Sequence, residues 1–519
     1  MPGDIIGRVT ARLVFLFASA IAGVAAQPIR SIPLAELHDR IAGGWAGQMI
    51  GVSFGAPTEF RTLQKINEGE LPKWTPDKIK EALDQDDLYV DMTFAQVLDD
   101  KGLNATTADF GNMFRDARYR LWHANLAARR ALKRDIPASL AGTPKYNAHA
   151  NDIDFQIESD FIGLMSPGMP ASSNSIADRA GRVMNSGDGL YGGMFVSCMY
   201  AAAFFETKDV RRVVEAGVAC LPAESPYTKV VRDVLTWSRQ YPDDWRKVWH
   251  LIGEKWDRRE PCPEGALKSF NIDAKLNGAY VALGLLYGGR DFTKTIDVAT
   301  RAGQDSDCNP SSAAGVLGVM LGYKAIPDEW KSGIPALADK KFNFTNFTFN
   351  EIVASTQKRA IALAVANGGK LRGDVLDVKI QTAKPARLEI WDDYGSPVER
   401  IAVADSRWTF TGSWSPVKAG KTATVKGAEA QIEFTGSGAI AVGLYQPTGG
   451  RYDVYLDGKL DGTLDSNSDE ADTKSGESIW HKFGLANGKH TLRLVVRGEP
   501  FQGHSGTDVT LTDLVVFRP

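Results

Sequence analysis

The spacing of apolar residues changes once along the chain, near residue 370. Between about Leu34 and Leu363, apolar residues recur every three or four positions, as they do in Val196–Phe204 and Ala313–Leu321. This spacing places apolar side chains along one side of a helix. Strand-like alternation is scarce in the same region, and the pattern therefore predicts an all-α domain.

After about Lys370 the pattern changes to short β-prone segments. Examples are Ala430–Phe434, Tyr452–Leu456 and Thr491–Val496, and they are separated by Gly, Asn and Asp turns such as Asp457-Gly458. Short strands at such intervals are typical of a β-sandwich. We therefore expect an all-β, jelly-roll-like sandwich, similar on pattern alone to galactose-binding-like, carbohydrate-binding domains.

The chain has 519 residues, which is too many for a single hydrophobic core. The changes in pattern divide it into four parts. These are a signal peptide at residues 1–26, the helical domain at residues 32–370, a linker or docking segment at residues 371–404, and the accessory sandwich at residues 405–519.

The N-terminus has the features of an export signal. Arg8 and Arg12 precede an apolar run from Leu13 to Ala26, and small residues come just before Gln27. The run is short for a membrane span of about 20 residues, although an uncleaved anchor is the alternative. We therefore expect a secreted or periplasmic protein with no membrane partner after cleavage.

The composition is that of an ordinary globular protein, with 43% hydrophobic residues. Its 60 basic residues nearly balance its 63 acidic residues, which leaves a net charge of −3. Nucleic acids attract proteins with strongly basic surfaces, so this balance argues against a nucleic-acid partner. We expect the protein to be a monomer.

The four cysteines show no C-x-x-C spacing of a zinc or redox site. In an exported chain some of them can form a disulfide, but the sequence does not assign the pair. Cys308 lies inside an acidic motif, and we expect it to stay unpaired.

Glycines recur at every fourth position of the first helical segment, at Gly43, Gly47, Gly51 and Gly55. Each glycine inside a helix costs roughly 1 kcal/mol of stability relative to alanine. Such a stripe is therefore expected where another backbone packs closely against the helix. A loop with scattered glycines is the alternative.

Two acidic clusters stand out, Asp84–Asp87 (DQDD) and Asp305–Asn309 (DSDCN). Neighbouring carboxylates repel each other unless a cation or solvent absorbs their charge. Magnesium-like ions prefer oxygen ligands, and an Asp-x-Asp loop directs two of them to one point. Simple N-capping of a helix by Asp305 or Asp307 is the alternative. The two clusters together favour a metal site.

Three segments, in this order, resemble motifs of the ADP-ribosylglycohydrolase family. Gly51–Glu59 (GVSFGAPTE) is similar to the family's opening motif, and Gln85–Leu88 (QDDL) is similar to its Thr-Asp-Asp-Thr element. Gly303–Asn309 (GQDSDCN) resembles its Gly-Gly-Asp-Thr-Asp-Thr-Asn element, and a small-residue helix with Gly322–Pro327 follows, as the pattern requires.

The resemblance implies an all-α fold with two Mg²⁺ ions, which Mn²⁺ can replace. By position, one ion is expected among Gln85, Asp86, Asp87 and Asp307. The other ion is expected among Glu59, Asp305, Asp307 and Cys308. The sequence departs from the family pattern at Gln85 and Cys308, where threonines are usual, and at Val52, where an acidic residue is usual.

Two further segments are candidates for contacts with a substrate. In the first segment, we expect sugar hydroxyls to be bound by Asn151, Asp152, Asp154 and Gln156. The alternative is a surface helix whose Asp154 and Glu158, one turn apart, face solvent. The second segment is the glycine-rich turn Gly187–Gly193. Its exposed backbone amides, at Gly189, Tyr191 and Gly192, are expected to bind a phosphate or the edge of a sugar. A tight structural turn explains the second segment equally well. His149, which lies near the first segment, is expected at the surface.

The expected activity is hydrolysis at the anomeric carbon of a ribosyl or furanosyl sugar. Glu59, with help from Asp305, is the expected general acid and base. Because the chain carries an export signal and a sandwich, we expect a carbohydrate or glycoconjugate substrate. The alternatives are a strict ADP-ribosyl-protein hydrolase and a catalytically inactive sugar-binding protein.

Overall fold

A computed structural model describes residues 27–257, 261–390, 395–418 and 420–519. The predicted signal peptide, residues 1–26, lies outside the described residues. Among those that are described, no helix combines the length and the apolar character that crossing a membrane requires.

The N-terminal region is helical, as predicted. Its described helices are α1 (Leu34–Gly55), α2 (Asp86–Lys101), α3 (Thr107–Asp116), α4 (His123–Leu132), α5 (Ala138–Ala141), α6 (Asp154–Ile157), α7 (Asp160–Leu164), α8 (Pro170–Gly181), α9 (Asp188–Ala203), α10 (Val210–Val218), α11 (Pro226–Gln240), α12 (Trp245–Trp256), α13 (Ala274–Gly288), α14 (Phe292–Arg301), α15 (Cys308–Leu321), α16 (Asp328–Lys331) and α17 (Phe349–Ala366). Helices α9, α13 and α15 are buried on almost all sides and form the centre of the domain.

The glycine stripe of α1 packs directly against the backbone of α15. A Cβ atom at Gly47 would lie 2.5 Å from the carbonyl carbon of Ala314, and one at Gly51 would lie 2.5 Å from that of Pro310. Neither position has room for a larger side chain, because the obstacle is backbone rather than a movable side chain. The prediction of a closely packed partner backbone is confirmed.

The described strands are antiparallel and form three sheets. A small sheet joins β1 (Ile29–Pro33), β2 (Lys370–Arg372) and β3 (Val375–Lys379) in the order β1-β3-β2. The C-terminal strands are β4 (Ser396–Ala402), β5 (Thr409–Thr411), β6 (Ser415–Val417), β7 (Gly420–Ala423), β8 (Glu429–Gly436), β9 (Gly438–Tyr445), β10 (Gly450–Leu456), β11 (Lys459–Asp465), β12 (Lys474–Lys482), β13 (Gly488–Pro500) and β14 (Val509–Arg518). They form the predicted sandwich from one sheet in the order β11-β10-β13-β8-β5 and a second in the order β12-β9-β14-β7-β6, where β4 pairs with β14.

The segment expected to join the two domains contributes to both of them. Its strand β4 belongs to the second sheet of the sandwich, so the sandwich begins before residue 405. The residues before β4 run along the helical domain, where Tyr191 donates a 2.8 Å hydrogen bond to the carbonyl of Arg387. Arg182 forms a 2.7 Å ion pair with Glu389 in the same stretch. The segment therefore docks rather than spans a gap.

One sheet of the sandwich is covered on both faces. Strand β8 alternates buried and exposed residues, whereas nearly every residue of β9 is buried. Ile440 and Val442 of β9 belong to an apolar cluster that also contains Ala148 and Ala266 of the helical domain. Continuous apolar strands are typical of sheets that are covered on both sides. The helical domain therefore serves as a third layer over β9.

Arginines at the end of α4 hold the loop between β11 and β12. Arg134 donates a 2.7 Å hydrogen bond to Asp465 and a 2.8 Å hydrogen bond to Asp469. Arg129 pairs with Glu470 in the same loop. All of these groups are mostly buried, so removal of one side chain would leave its partner as a buried, unpaired charge. The sandwich is thus fixed to the helical domain by charge as well as by apolar packing.

A disulfide joins Cys198 in α9 to Cys220 after α10. Cys308 stays outside it as a thiol, as expected from the sequence.

Candidate active site

The packing of α1 on α15 brings the opening motif beside the second acidic cluster. Glu59 follows the end of α1. The residues before and after it in the sequence form hydrogen bonds with the loop that precedes α15. Thr58 shares a 2.7 Å hydrogen bond with the hydroxyl of Ser306, and the amide of Phe60 donates a 3.0 Å hydrogen bond to the carbonyl of Gln304. The glycine stripe and these two bonds set the position of the Glu59 carboxyl.

The two acidic clusters, 221 residues apart at their point of contact, meet in the folded chain. The thiol of Cys308 lies 3.1 Å from Oδ1 of Asp87, which sits in the first turn of α2. Ligand atoms of Asp305, Asp307 and Cys308 lie within 4.8 Å of one another.

These groups border a cavity of about 420 Å³. The expected metal-site and catalytic residues that line it are Glu59, Gln85, Asp86, Asp305, Asp307 and Cys308. Asp87 does not line the cavity and lies buried behind this rim.

Burial and mutual repulsion raise the pKa values of the carboxyl groups in the site. Burial within the cleft, followed by repulsion from Asp307 and Asp86, raises the pKa of Glu59 to about 8. Burial raises the pKa of Asp307 to about 7, with further repulsion from Asp87 and Asp86. The pKa of Asp305 is raised well above its usual value for the same reasons, burial first. The pKa values are raised because too little positive charge lies near these carboxyl groups to balance their negative charges.

A divalent cation fits this deficit. Oδ2 of Asp87 and Oδ1 of Asp305 are buried and have no hydrogen-bond partner. Buried carboxylate oxygens are normally paired, and those that are not need an explanation. Oxygen-rich donor sets suit Mg²⁺ and Mn²⁺, whereas the sulfur of Cys308 is a soft ligand. The residues present thus fit a hard cation everywhere except at Cys308.

We expect Cys308→Thr to raise the affinity for Mg²⁺, on the order of 10-fold, because it replaces a soft thiol with a hard hydroxyl. The same variant should bind Cd²⁺ less tightly than the parent protein, since Cd²⁺ prefers sulfur. Isothermal titration with each ion measures both effects. Equal affinities in the two proteins for both ions would show that position 308 does not contact a cation.

Of the four residues expected to bind sugar hydroxyls on the first segment, Asp154 alone lines the cavity. Its carboxylate accepts hydrogen bonds from the amides of Asn125 (2.9 Å) and Ala124 (3.2 Å), so it also holds the N-terminus of α4 in place. The residues of that set placed elsewhere are Asn151, Asp152 and Gln156. Gln156 is fully buried and accepts a 2.6 Å hydrogen bond from Tyr227.

The alternative of a solvent-facing surface helix is wrong. Helix α6 has only four residues, and both Asp154 and Glu158 are buried. Burial of acidic residues here follows from their role in joining α4 to the centre of the domain.

The glycine-rich segment does not form an exposed turn. Its residues Gly189, Tyr191 and Gly192 are buried in the first turns of α9 and do not line the cavity. A Cβ at Gly192 would lie 2.8 Å from Gln156, so the glycine serves close packing. The expectation that these amides are presented to a phosphate or a sugar is therefore corrected.

His149 is buried, and the expectation of a surface position is wrong. Its Nδ1 lies 2.7 Å from Asp152, and its Nε2 lies 3.5 Å from Glu477 of the sandwich. Burial alone would lower the pKa of His149, but the two carboxylates raise it well above its usual value. The His149 imidazole therefore lies between a carboxylate of the helical domain and a carboxylate of the sandwich.

The sequence analysis did not predict several other residues that line the cavity. Trp122 and His123 come from the start of α4, and Lys474 comes from the start of β12. His123 adopts a left-handed backbone conformation with φ of 45°, which is uncommon outside glycine and occurs at functional sites. No motif marks these residues, and the one signal in the sequence is the pairing of an aromatic residue with a histidine.

The model of the ADP-ribosylglycohydrolase family matches residues 33–357, which is more than half of the chain. The chain belongs to the ADP-ribosylglycohydrolase family. Members of this family are generally hydrolases and typically use metal ions. The matched segment contains Glu59 and both acidic clusters, whereas Lys474 and the rest of the sandwich lie outside it.

Solved structures are similar to each domain of this ADP-ribosylglycohydrolase-family protein. An ADP-ribosylglycohydrolase-related protein complex is 18% identical, with 63% of this chain and 98% of that chain covered and a TM-score of 0.36. The CBM36-1 domain of a multidomain xylanase from the hindgut metagenome of Trinervitermes trinervoides is 14% identical, with coverage of 22% and 94% and a TM-score of 0.18. A carbohydrate-binding module CBM36 in complex with calcium and xylotriose is 10% identical, with coverage of 23% and 99% and a TM-score of 0.17. No curated protein is similar enough to count as a match.

Proposed function

We propose that this protein is an exported, metal-dependent glycoside hydrolase that cleaves a ribosyl- or furanosyl-type N- or O-glycosidic bond in a carbohydrate or glycoconjugate. The observation that carries the proposal is one cavity that holds the Glu59 carboxyl together with Asp86 and the Asp305–Cys308 cluster. Hydrolysis at an anomeric carbon needs a carboxyl group as acid and base, and a cation beside it can position the sugar.

The acidic clusters would hold two Mg²⁺ ions, or Mn²⁺ in their place. Gln85, Asp86 and Asp87 would hold one ion, Asp305 and Cys308 the other, and Asp307 would contact both. When bound, such ions orient vicinal hydroxyls and stabilise developing negative charge. The protein's own contribution is to fix these side chains at the start of α2 and α15, where helix dipoles also favour negative charge.

Glu59 is the proposed general acid and base, and Asp305 assists it. Glu59 is exposed to the cavity rather than enclosed in the protein, so its carboxyl can reach a substrate. In that position it would protonate the departing oxygen or nitrogen and later accept a proton from water. Asp305, buried beside Asp307, would hold the water and the sugar in place.

An inactive sugar-binding protein is the second candidate, because a cysteine occupies a position where the family pattern has threonine. The mature protein is tested against furanosyl glycans, methyl furanosides and ADP-ribosylated peptides, with and without Mg²⁺. Release of reducing sugar that depends on Mg²⁺ supports the first proposal. Saturable glycan binding without release supports the second, and cleavage of ADP-ribosylated peptides alone supports a strict ADP-ribosyl hydrolase.

We expect Asp307→Asn to lower the affinity for Mg²⁺ by at least about 100-fold, because this carboxylate belongs to the second cluster and is also close enough to Asp86 and Asp87 to be repelled by them. Equilibrium dialysis with elemental analysis measures the bound ion. Asp328→Asn is the matched control, since Asp328 is exposed on α16 and lies away from the cavity. Unchanged metal content in the Asp307 variant would contradict the proposed site.

A further inference from the structure

The sandwich forms part of the cavity wall. Thr473, Lys474, Ser475 and Glu477, at the start of β12, line the same cavity as Glu59 and the acidic clusters. The Arg134 ion pairs and the covered face of β9 hold this strand against the helical domain. The sandwich is therefore a structural part of the cleft and does not act as a separately tethered module.

Lys474 is held in place at this wall. Its ammonium lies 3.3 Å from Glu470 and 4.4 Å from the centroid of the Trp122 ring. An ammonium has three donors, and the ion pair with Glu470 leaves others for a ligand. Trp122 lines the cavity, and 42% of its surface is exposed. An aromatic surface beside a fixed donor is suited to a sugar ring.

The charge of this wall argues against a phosphorylated leaving group. Among the described residues that line the cavity, Lys474 is the only lysine and there is no arginine. Glu264 and Glu477 also line the cavity, and Glu264 lies against Gly476 of β12. Pyrophosphate is usually bound by several arginines or lysines, and here the single lysine is already paired with Glu470.

We propose that β12 and Trp122 form the leaving-group subsite of the cleft and that this subsite takes an uncharged sugar residue. The inference rests on the proposed glycoside hydrolase activity, since the bond to be cleaved would lie between this subsite and the acidic clusters. Lys474 would donate hydrogen bonds to hydroxyls of the leaving sugar, which stacks on the exposed part of Trp122.

The kinetic test compares two kinds of substrate with the full chain. Ribofuranosyl and arabinofuranosyl disaccharides reach the subsite, whereas methyl furanosides of the same sugars have a leaving group too small to contact Lys474. We expect Lys474→Met to raise KM for the disaccharides by about 10-fold or more, because a hydrogen bond from a charged group is lost. Its kcat/KM for the methyl furanosides should stay within about 2-fold of the parent value.

Lys482→Met is the matched control. Lys482 lies on the same strand, pairs with Asp461 and does not line the cavity. We expect it to change neither substrate's kinetics. Equal effects of the two lysine variants would overturn the subsite.

A binding measurement separates this inference from the proposed activity. Calorimetry with Mg²⁺ and the Glu59→Gln protein compares the disaccharides with their analogues phosphorylated on the leaving sugar, with and without Lys474→Met. We expect tighter binding of a disaccharide than of its phosphorylated analogue, and a loss of about 10-fold or more with the lysine variant. If the unmodified protein cleaves no furanoside but this pattern holds, the activity fails and the subsite stands. Tighter binding of the phosphorylated analogues, or no binding of any disaccharide, overturns the subsite even where furanosides are cleaved.

Discussion

Glu59→Gln is expected to lower kcat by at least about 10³-fold while leaving the fold and metal content nearly unchanged. Glutamine keeps the size of the side chain and the neighbouring contacts of Thr58 and Phe60, but it cannot donate and recover a proton. Turnover of the substrate identified in the glycan and ADP-ribosyl screen measures the effect. Circular dichroism and elemental analysis measure fold and metal.

Glu68→Gln is the control for this substitution. Glu68 is exposed and forms a 2.7 Å ion pair with Arg246 away from the cavity. We expect full activity from the control. Full activity of the Glu59 variant would contradict the catalytic role proposed for Glu59. Loss of both turnover and metal would indicate that Glu59 is a ligand of the cation instead.

Gly47→Ala is expected to destabilise the protein by about 3 kcal/mol, although alanine is the better helix former. A methyl group there overlaps the backbone of α15 at Ala314, so α1 and α15 must move apart. Since this contact places Glu59 beside the second acidic cluster, we also expect weaker Mg²⁺ binding. Chemical unfolding of the full chain and a metal titration measure the two effects.

Gly253→Ala provides the matched comparison. Gly253 lies inside α12, and a Cβ at this position would meet nothing within 4 Å. Here alanine should stabilise the protein by about 0.5–1 kcal/mol, since helix propensity is the main effect that remains. If both substitutions changed stability in the same direction and to the same extent, the close packing of α1 on α15 would be refuted.

The sequence contained enough to predict the fold class and the meeting of the acidic clusters. Helical spacing before residue 370 and short β-prone runs after it gave the two architectures. The glycine stripe from Gly43 to Gly55 indicated a backbone partner, and α15, which begins at Cys308, is that partner. These features are local patterns with one dominant physical explanation each.

The other residues that line the cavity are not marked by such a pattern. Trp122 and Lys474 are far apart in the sequence, and each is an ordinary residue in its own segment. They meet because β9 and α4 dock the sandwich in one orientation, which depends on contacts across the whole chain. No feature of either segment alone could reveal that contact.

Burial explains the other failures. The glycines near Gly189 predict an exposed, ligand-binding turn and a tight structural turn equally well, and the acidic residues near His149 predict a sugar-binding edge or a solvent-facing helix. In a domain with several fully buried helices, the same residue types also allow close approach of helices or pair across buried contacts, as Gly192 and His149 do. Composition alone does not distinguish these uses, because the neighbours that decide them come from other helices and from the sandwich.

The covered face of β9 also bears on how this protein can evolve. A domain that is joined to its neighbour only by a flexible tether can be exchanged without disturbing either partner. In this protein such an exchange would expose Ile440 and Val442 of the sandwich, and also Ala148 and Ala266 of the helical domain, to solvent. The two halves are therefore expected to have been inherited together, and relatives that share the helical half but lack the sandwich should carry polar substitutions at the positions of those alanines.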